Sequence, residues 1–312
     1  MRQKRLQNKV AGSEWTLPVC AISAVAMWWL PQRSVSVPHL IGLLLSLLTA
    51  YIVMETNARY YIIRIRTRMM TCVWLILSAS LAFVHAVGNP LCAALFLSLS
   101  YFFLFRCYQR THPQLDVFHA FLMLSLGSFF APVMLAMAVP YFFYLAAYLR
   151  SLSRKAFWAG IIGIAVPYWC YAVWCFATRN MEELQIHFAD MVQPELPSLE
   201  AVKSLALGQK AAAAVIAFLG IAGIMHYLRT NFDDKIRVRM ILYIYVSQTL
   251  LLLAYLALQP SHYDTTMALL VCSAGPLIAH HLSLAKGWFG TAYFIVAIIL
   301  TAAMAVLQLV GF

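Results

Sequence analysis

Five of the chain's eleven acidic residues fall in one stretch, Asn180 to Gln209: Glu182, Glu183, Asp190, Glu195 and Glu200, against Lys203 as the single basic residue there. A carboxylate such as Glu182, Glu183 or Asp190 can serve as a general base, and His187 with Arg179 can face a phosphate. Just ahead lie Tyr168, Trp169, Tyr171 and Trp174, whose ring faces can stack on sugars. The stretch is also patterned. Met181, Leu184, Phe188 and Met191 recur at helical spacing behind Asn180, Pro194 and Pro197 break the run, and Ser198 can cap a second short helix ending at Gly208. Two amphipathic helices forming an acidic lid are expected. The plainer alternative is an interfacial lid over an aromatic belt, with no chemistry of its own.

The remaining reactive side chains are few. Asp233-Asp234, with Lys235 and Arg237 alongside, can hold Mg²⁺ against a pyrophosphate, but no second acidic motif accompanies it, so a solvated turn is expected. Asp116 and His119 share a helix face, with Asp116 favouring the positive N-terminal end of that helix. The adjacent pair His280-His281 diverges by about 100° on a helix, which suits an interfacial helix end better than joint metal binding. No zinc spacing or cofactor motif is found, so no metal and no cofactor is expected. The polar groups deep in apolar sequence are neutral: Ser78, Ser98, Ser125, Ser247, Gln248, Thr249 and Ser273. Hydrogen bonding between helices is their expected role, with Gln248 the one candidate for contact with a substrate. A carried proton or ion needs a titratable or coordinating group at depth, so proton-driven antiport is disfavoured.

These residues must be positioned by membrane helices. Of 312 residues, 63% are hydrophobic and 11% charged, a composition that excludes a soluble enzyme, a disordered tail and a secreted disulfide scaffold. Apolar runs predict eleven spans near 16–30, 38–54, 71–87, 90–105, 115–130, 132–149, 156–177, 211–228, 240–258, 265–279 and 288–309, in a single all-α transmembrane bundle. Leu115 to Leu149 as one helix would be about 50 Å long, beyond a hydrocarbon core of about 30 Å, so Gly127, Ser128 and Pro132 mark a hairpin turn. Alternating the loops puts 18 of the 22 basic residues on one side and leaves Arg33, Arg179, Lys203 and Lys210 on the other. The positive-inside rule then sets the N-terminus in the cytoplasm and the C-terminus outside. The net charge of +11 becomes an orientation and leaves no case for a nucleic-acid partner. The first span reads as an uncleaved helix, with Pro18 inside it and Trp28 and Trp29 as interfacial anchors; a signal peptide cleaved near Ala24-Val25-Ala26 is the alternative. Six of the seven cysteines fall in spans and Cys107 at a cytoplasmic end, so no outer-loop disulfide is expected.

Two basic loops echo one another. Thr56-Asn57 followed by Ile63-Arg64-Ile65-Arg66 recurs 174 and then 173 residues later as Thr230-Asn231 followed by Ile236-Arg237-Val238-Arg239. A parallel repeat of spans 2–5 and 8–11 would follow. Topologically this resembles the two-halved plan of the major facilitator transporters, although their glycine-and-Asp-Arg signature is missing from Thr56-Asn57-Ala58-Arg59-Tyr60-Tyr61, so no functional residue transfers. The large polyprenyl-sugar glycosyltransferases carry acids in their first outer loop, whereas residues 31–37 here hold none. By composition and topology the whole chain resembles the uncharacterised polytopic inner-membrane proteins of Gram-negative bacteria. The expectation is a transporter or flippase-type bundle in the inner membrane, contacting membrane lipids and moving an amphipathic or lipid-linked envelope substrate such as a lipid-linked saccharide. A membrane-embedded transferase or polymerase working on a polyprenyl-linked saccharide through loop 180–209, and a non-catalytic subunit of an envelope complex, are the alternatives.

Overall fold

The structure is a computed structural model that describes residues 6–29, 36–182, 185, 203 and 205–310. All regular structure among them is helical: α1 Leu6–Ala11, α2 Thr16–Trp29, α3 Val37–Tyr60, α4 Met69–Ala79, α5 Asn89–Arg106, α6 Gln114–Ser128, α7 Val133–Ala136, α8 Ala138–Ala147, α9 Arg154–Ala177, α10 Leu207–Thr230, α11 Ile236–Leu258, α12 Tyr263–Leu284 and α13 Trp288–Val310. Among the described residues, seven of these are long and apolar enough to cross a membrane: α3, α5, α9, α10, α11, α12 and α13, some with a short flanking turn. The chain is a multi-pass membrane protein on that basis.

The other four expected spans are helical but short. At 1.5 Å per residue, α2 with 14 residues reaches about 21 Å, α4 with 11 about 16 Å and α6 with 15 about 22 Å, all short of a core of about 30 Å. The span expected at 71–87 stops at Ala79 for a local reason. The Ser80 hydroxyl and N–H both donate to the Ile76 carbonyl, at 2.6 and 3.0 Å, and the His85 ring meets the Ala79 carbonyl at 2.8 Å, in the place of the next helical N–H. The span expected at 132–149 is split into α7 and α8. The hairpin itself is present: α6 ends at Ser128, and Phe121 meets Phe142 at 4.5 Å and Tyr141 at 5.9 Å, so the chain doubles back.

The core is organised around α12, of which 94% of the most apolar stretch is buried. It packs against α4 and α5 on one side and α10 and α11 on the other. Small residues permit that density. A Cβ on Gly223 of α10 would sit 2.9 Å from the backbone carbonyl of Leu277 on α12, so the two backbones touch only because residue 223 is glycine. A second layer pairs α6 with α9 and with α5, and α2 lies on α4. Trp28 is a correction to the expected belt: it is 1% exposed, stacks on His85 at 4.6 Å and donates its indole N–H to the His39 carbonyl at 3.2 Å.

The echoed loops correspond only in part. Thr56 and Thr230 each donate to the carbonyl four residues back, Ile52 at 2.6 Å and His226 at 2.9 Å. Asn57 then binds its own loop through Thr67, whereas Asn231 binds Tyr243. Likewise α3 packs on α5 as α10 packs on α12, while α6 packs on α5 and α13 mainly on α10.

The lid expected between the seventh and eighth spans lies almost wholly outside the described residues. Its far boundary is corrected: Leu207 and Gly208 open α10, with the Gln209 side chain accepting from the Ala206 N–H at 3.0 Å, and do not close a lid helix.

Candidate functional site

Of the acidic-loop candidates, Glu183, His187 and Asp190 lie outside the described residues. Glu182 and Arg179 are both exposed, just beyond the end of α9. Arg179 takes a left-handed conformation with φ 56°, and the Asn180 N–H returns to the Cys175 carbonyl at 2.9 Å, which closes the helix. The aromatic candidates divide. Tyr168 hydrogen-bonds Ser128 and stacks on Phe129 at 4.9 Å, and Tyr171 meets the same ring edge-on at 5.5 Å. Trp169 and Trp174 are exposed. A recess of about 450 Å³ runs past Tyr168 and Trp169, and among the described residues those lining it all belong to α9.

Gln248 stands apart from these, fully buried on α11, and among the described residues neither its amide oxygen nor its nitrogen has a hydrogen-bond partner. Adjacent Thr249 is likewise buried, its hydroxyl without a partner among the described residues. The deep serines behave as interhelical links: Ser125 donates to Ile164 at 2.8 Å, Ser247 to Tyr144 at 2.9 Å, and Ser273 pairs with Tyr101 at 2.8 Å.

The fold brings together a different set, where the basic loops meet. Arg64, from the α3–α4 loop, reaches Asp233 at 3.2 Å and Asp234 at 3.6 Å in the α10–α11 loop. Asp234 is the turn residue expected to be solvated; its side chain is instead 1% exposed and meets the Nε2 of His280 at 3.1 Å. His280, in the last turns of α12, is fully buried. His281 stacks between His226 at 4.3 Å and Tyr293 at 3.7 Å, and Tyr227 meets His280 edge-on at 5.7 Å. Lys286 approaches Asp233 at 4.0 Å but is 84% exposed, which screens the contact. Arg237 lies over the rings of Tyr60 at 5.1 Å and Tyr108 at 5.8 Å. Nearby, Asp116 does more than face a helix end: it accepts from Arg110 at 3.0 Å and forms an ion pair with the Arg106 Nε at 3.0 Å, while His119 turns away to the Leu115 carbonyl and the Phe103 ring.

Beside Arg64 the structure opens a cavity of about 1020 Å³ between the α1–α2 turn, the end of α3 and the loop to α4. Arg64, Arg66 and Arg68 line it, with Glu14 and Glu55 as the opposing charges and Met54, Ile63 and Ile65 as apolar wall. The arginine loop is built by Asn57, whose amide donates to the Thr67 carbonyl at 3.0 Å while its oxygen accepts from the Ile63 N–H at 3.2 Å. Thr67 in turn accepts from the Met69 N–H at 3.2 Å, starting α4. At the cavity wall Thr71 is 4% exposed, and among the described residues its hydroxyl has no hydrogen-bond partner.

This cluster was hard to find from sequence because Asp234 and His280 are 46 residues apart. The available signal was that His226, Asp233-Asp234 and His280-His281 all fall at ends of consecutive helices on one side of the bundle. Among the described residues, no group of three or more His, Cys, Asp or Glu is arranged to hold a metal ion. Comparisons with protein-family models, with curated proteins and with solved structures find no match.

Proposed function

We propose that the chain is a transporter or flippase-type protein of the cytoplasmic membrane that handles an amphipathic, lipid-linked envelope substrate. The observation that carries the reading is the cavity lined by three arginines and by Met54, Ile63 and Ile65, an environment matched to a molecule with an anionic head and an apolar tail. The tie from Arg64 across to Asp233 and Asp234 also supports it, since it joins the loop after α3 to the loop after α10, the pair of loops that echo one another in sequence. In the finer topology we propose, all eleven apolar segments are membrane-embedded, the N-terminus is cytoplasmic and the C-terminus is outside. The gathering of the loops that carry Arg64, Arg106, Arg237 and Lys286 at one end of the bundle supports that orientation. The parallel repeat has its support in the shared packing of α3 on α5 and of α10 on α12. Among the described residues nothing favours a transferase acting through loop 180–209.

Lipid and glycan profiling of a deletion strain tests the reading. Accumulation of a lipid-linked precursor is expected, and an unchanged profile would overturn it.

A further inference from the structure

We infer that the arginine-lined cavity is a binding site for a phosphate or diphosphate head, and that Arg64 is shared between that head and the carboxylates of Asp233 and Asp234. Arg64, Arg66 and Arg68 alternate along one short loop, and all three line the same cavity. Guanidinium groups present paired donors matched to phosphate oxygens. Among the described residues neither Arg66 nor Arg68 has an ion-pair partner, so their donors are available to a ligand. Glu14 and Glu55 offset part of the charge and leave an excess of one positive group in the lining.

At about 1020 Å³ the volume accommodates a diphosphate together with the first carbons of a chain, for which Ile63, Ile65 and Met54 form the apolar side.

Arg64 makes the site conditional. A phosphate head that draws its guanidinium inward competes with Asp233 at 3.2 Å and Asp234 at 3.6 Å. Asp234 keeps the His280 Nε2 at 3.1 Å after the exchange, so one of its buried carboxylate oxygens stays partnered. Asp233 is 36% exposed and can return to water. Loading the cavity therefore loosens the one direct ion-pair link seen between the α3–α4 and α10–α11 loops among the described residues. The lipid attachment of the head rests on the transport reading; the phosphate site itself does not.

The test uses the purified full-length chain in neutral detergent. Inorganic pyrophosphate is titrated by calorimetry, and dioleoylphosphatidic acid doped into the micelles is followed by native mass spectrometry. Pyrophosphate binding should weaken about tenfold or more in Arg66→Gln/Arg68→Gln. It should tighten about threefold to tenfold in Asp233→Asn, which frees Arg64. Absence of pyrophosphate and phosphatidate binding, or equal binding by the double-arginine variant, overturns the site. Unchanged affinity in Asp233→Asn overturns the sharing of Arg64, and that partly exposed substitution remains informative if the double variant does not fold. Binding of phosphatidate as well as pyrophosphate supports a lipid-borne head, whereas pyrophosphate alone assigns a free one. Arginine-dependent binding with a normal lipid profile in the deletion strain would keep the site and discard the transport reading; an altered profile without binding would do the reverse.

Discussion

Two glycines one helical turn apart on α10 give a sharp test of the packing around α12. A Cβ at Gly223 would lie 2.9 Å from both C and O of Leu277 and 3.1 Å from the N of Ile278, all backbone atoms that no rotamer change can move. A Cβ at Gly220 would lie 3.4 Å from the Ala274 Cβ and 3.7 Å from the Thr249 Cγ2, which are ordinary contacts. Gly223→Ala must therefore push α10 off α12 until the contact grows from 2.9 Å to the 3.4 Å that Gly220 already allows. Opening even half an ångström forfeits about a quarter of each van der Waals well along the crossing, and overpacking of this kind costs about 1–3 kcal/mol. Both substitutions gain the same helix propensity, about 1 kcal/mol in favour of alanine, so that contribution cancels in the comparison. The account predicts Gly223→Ala to be less stable than Gly220→Ala by about 2 kcal/mol. Reversible unfolding in neutral detergent titrated with dodecyl sulfate, read by far-ultraviolet circular dichroism, measures that difference. Equal midpoints for the two variants would refute the close crossing of α10 and α12.

The buried pair and the buried thiol yield further predictions. Asp234→Leu leaves the buried His280 without its acceptor and should cost about 1–3 kcal/mol, Asp234→Asn should cost less because its amide oxygen still accepts, and Lys286→Ala at its exposed site should change stability by less than about 0.5 kcal/mol. The same unfolding assay ranks them, and a neutral Asp234→Leu would contradict the pairing at 3.1 Å. Cys107 is fully buried beyond the end of α5, and burial, helped by nearby Asp116, pushes its thiol up to about 12. Because the thiolate is the reactive form, a variant retaining Cys107 alone should resist maleimide at neutral pH in detergent and react after unfolding; full labelling of the native protein would contradict the packing of that turn.

Hydropathy located each apolar segment, and the Gly127 to Pro132 break was legible because a single helix through it would overrun the bilayer. The interruption after Ala79 was not, since it depends on the His85 ring taking the Ala79 carbonyl in the place of a backbone N–H. Nor was the burial of Trp28 at 1% against the 65% exposure of Trp174, because in a membrane the core and the lipid are both apolar and periodicity does not separate them. The acidic loop 180–209 is the densest cluster of carboxylates in sequence. The cluster the fold assembles is sparser along the chain: Arg64, Asp233, Asp234 and His280 meet only because α12 packs against both α4 and α10. Basic loops were expected on one side for orientation alone, so three alternating arginines carried no separate signal until the cavity they share was seen.

The central claim, transbilayer handling of an anionic lipid through the arginine-lined cavity, is tested most directly by reconstituting the chain in liposomes with a fluorescent isoprenoid phosphate and following dithionite quenching of the outer leaflet. The account predicts that wild-type protein exposes inner-leaflet probe to the quencher and that Arg66→Gln/Arg68→Gln slows this about tenfold or more. Quenching that stops at the outer-leaflet fraction with wild-type protein, or equal rates for the two proteins, would contradict it.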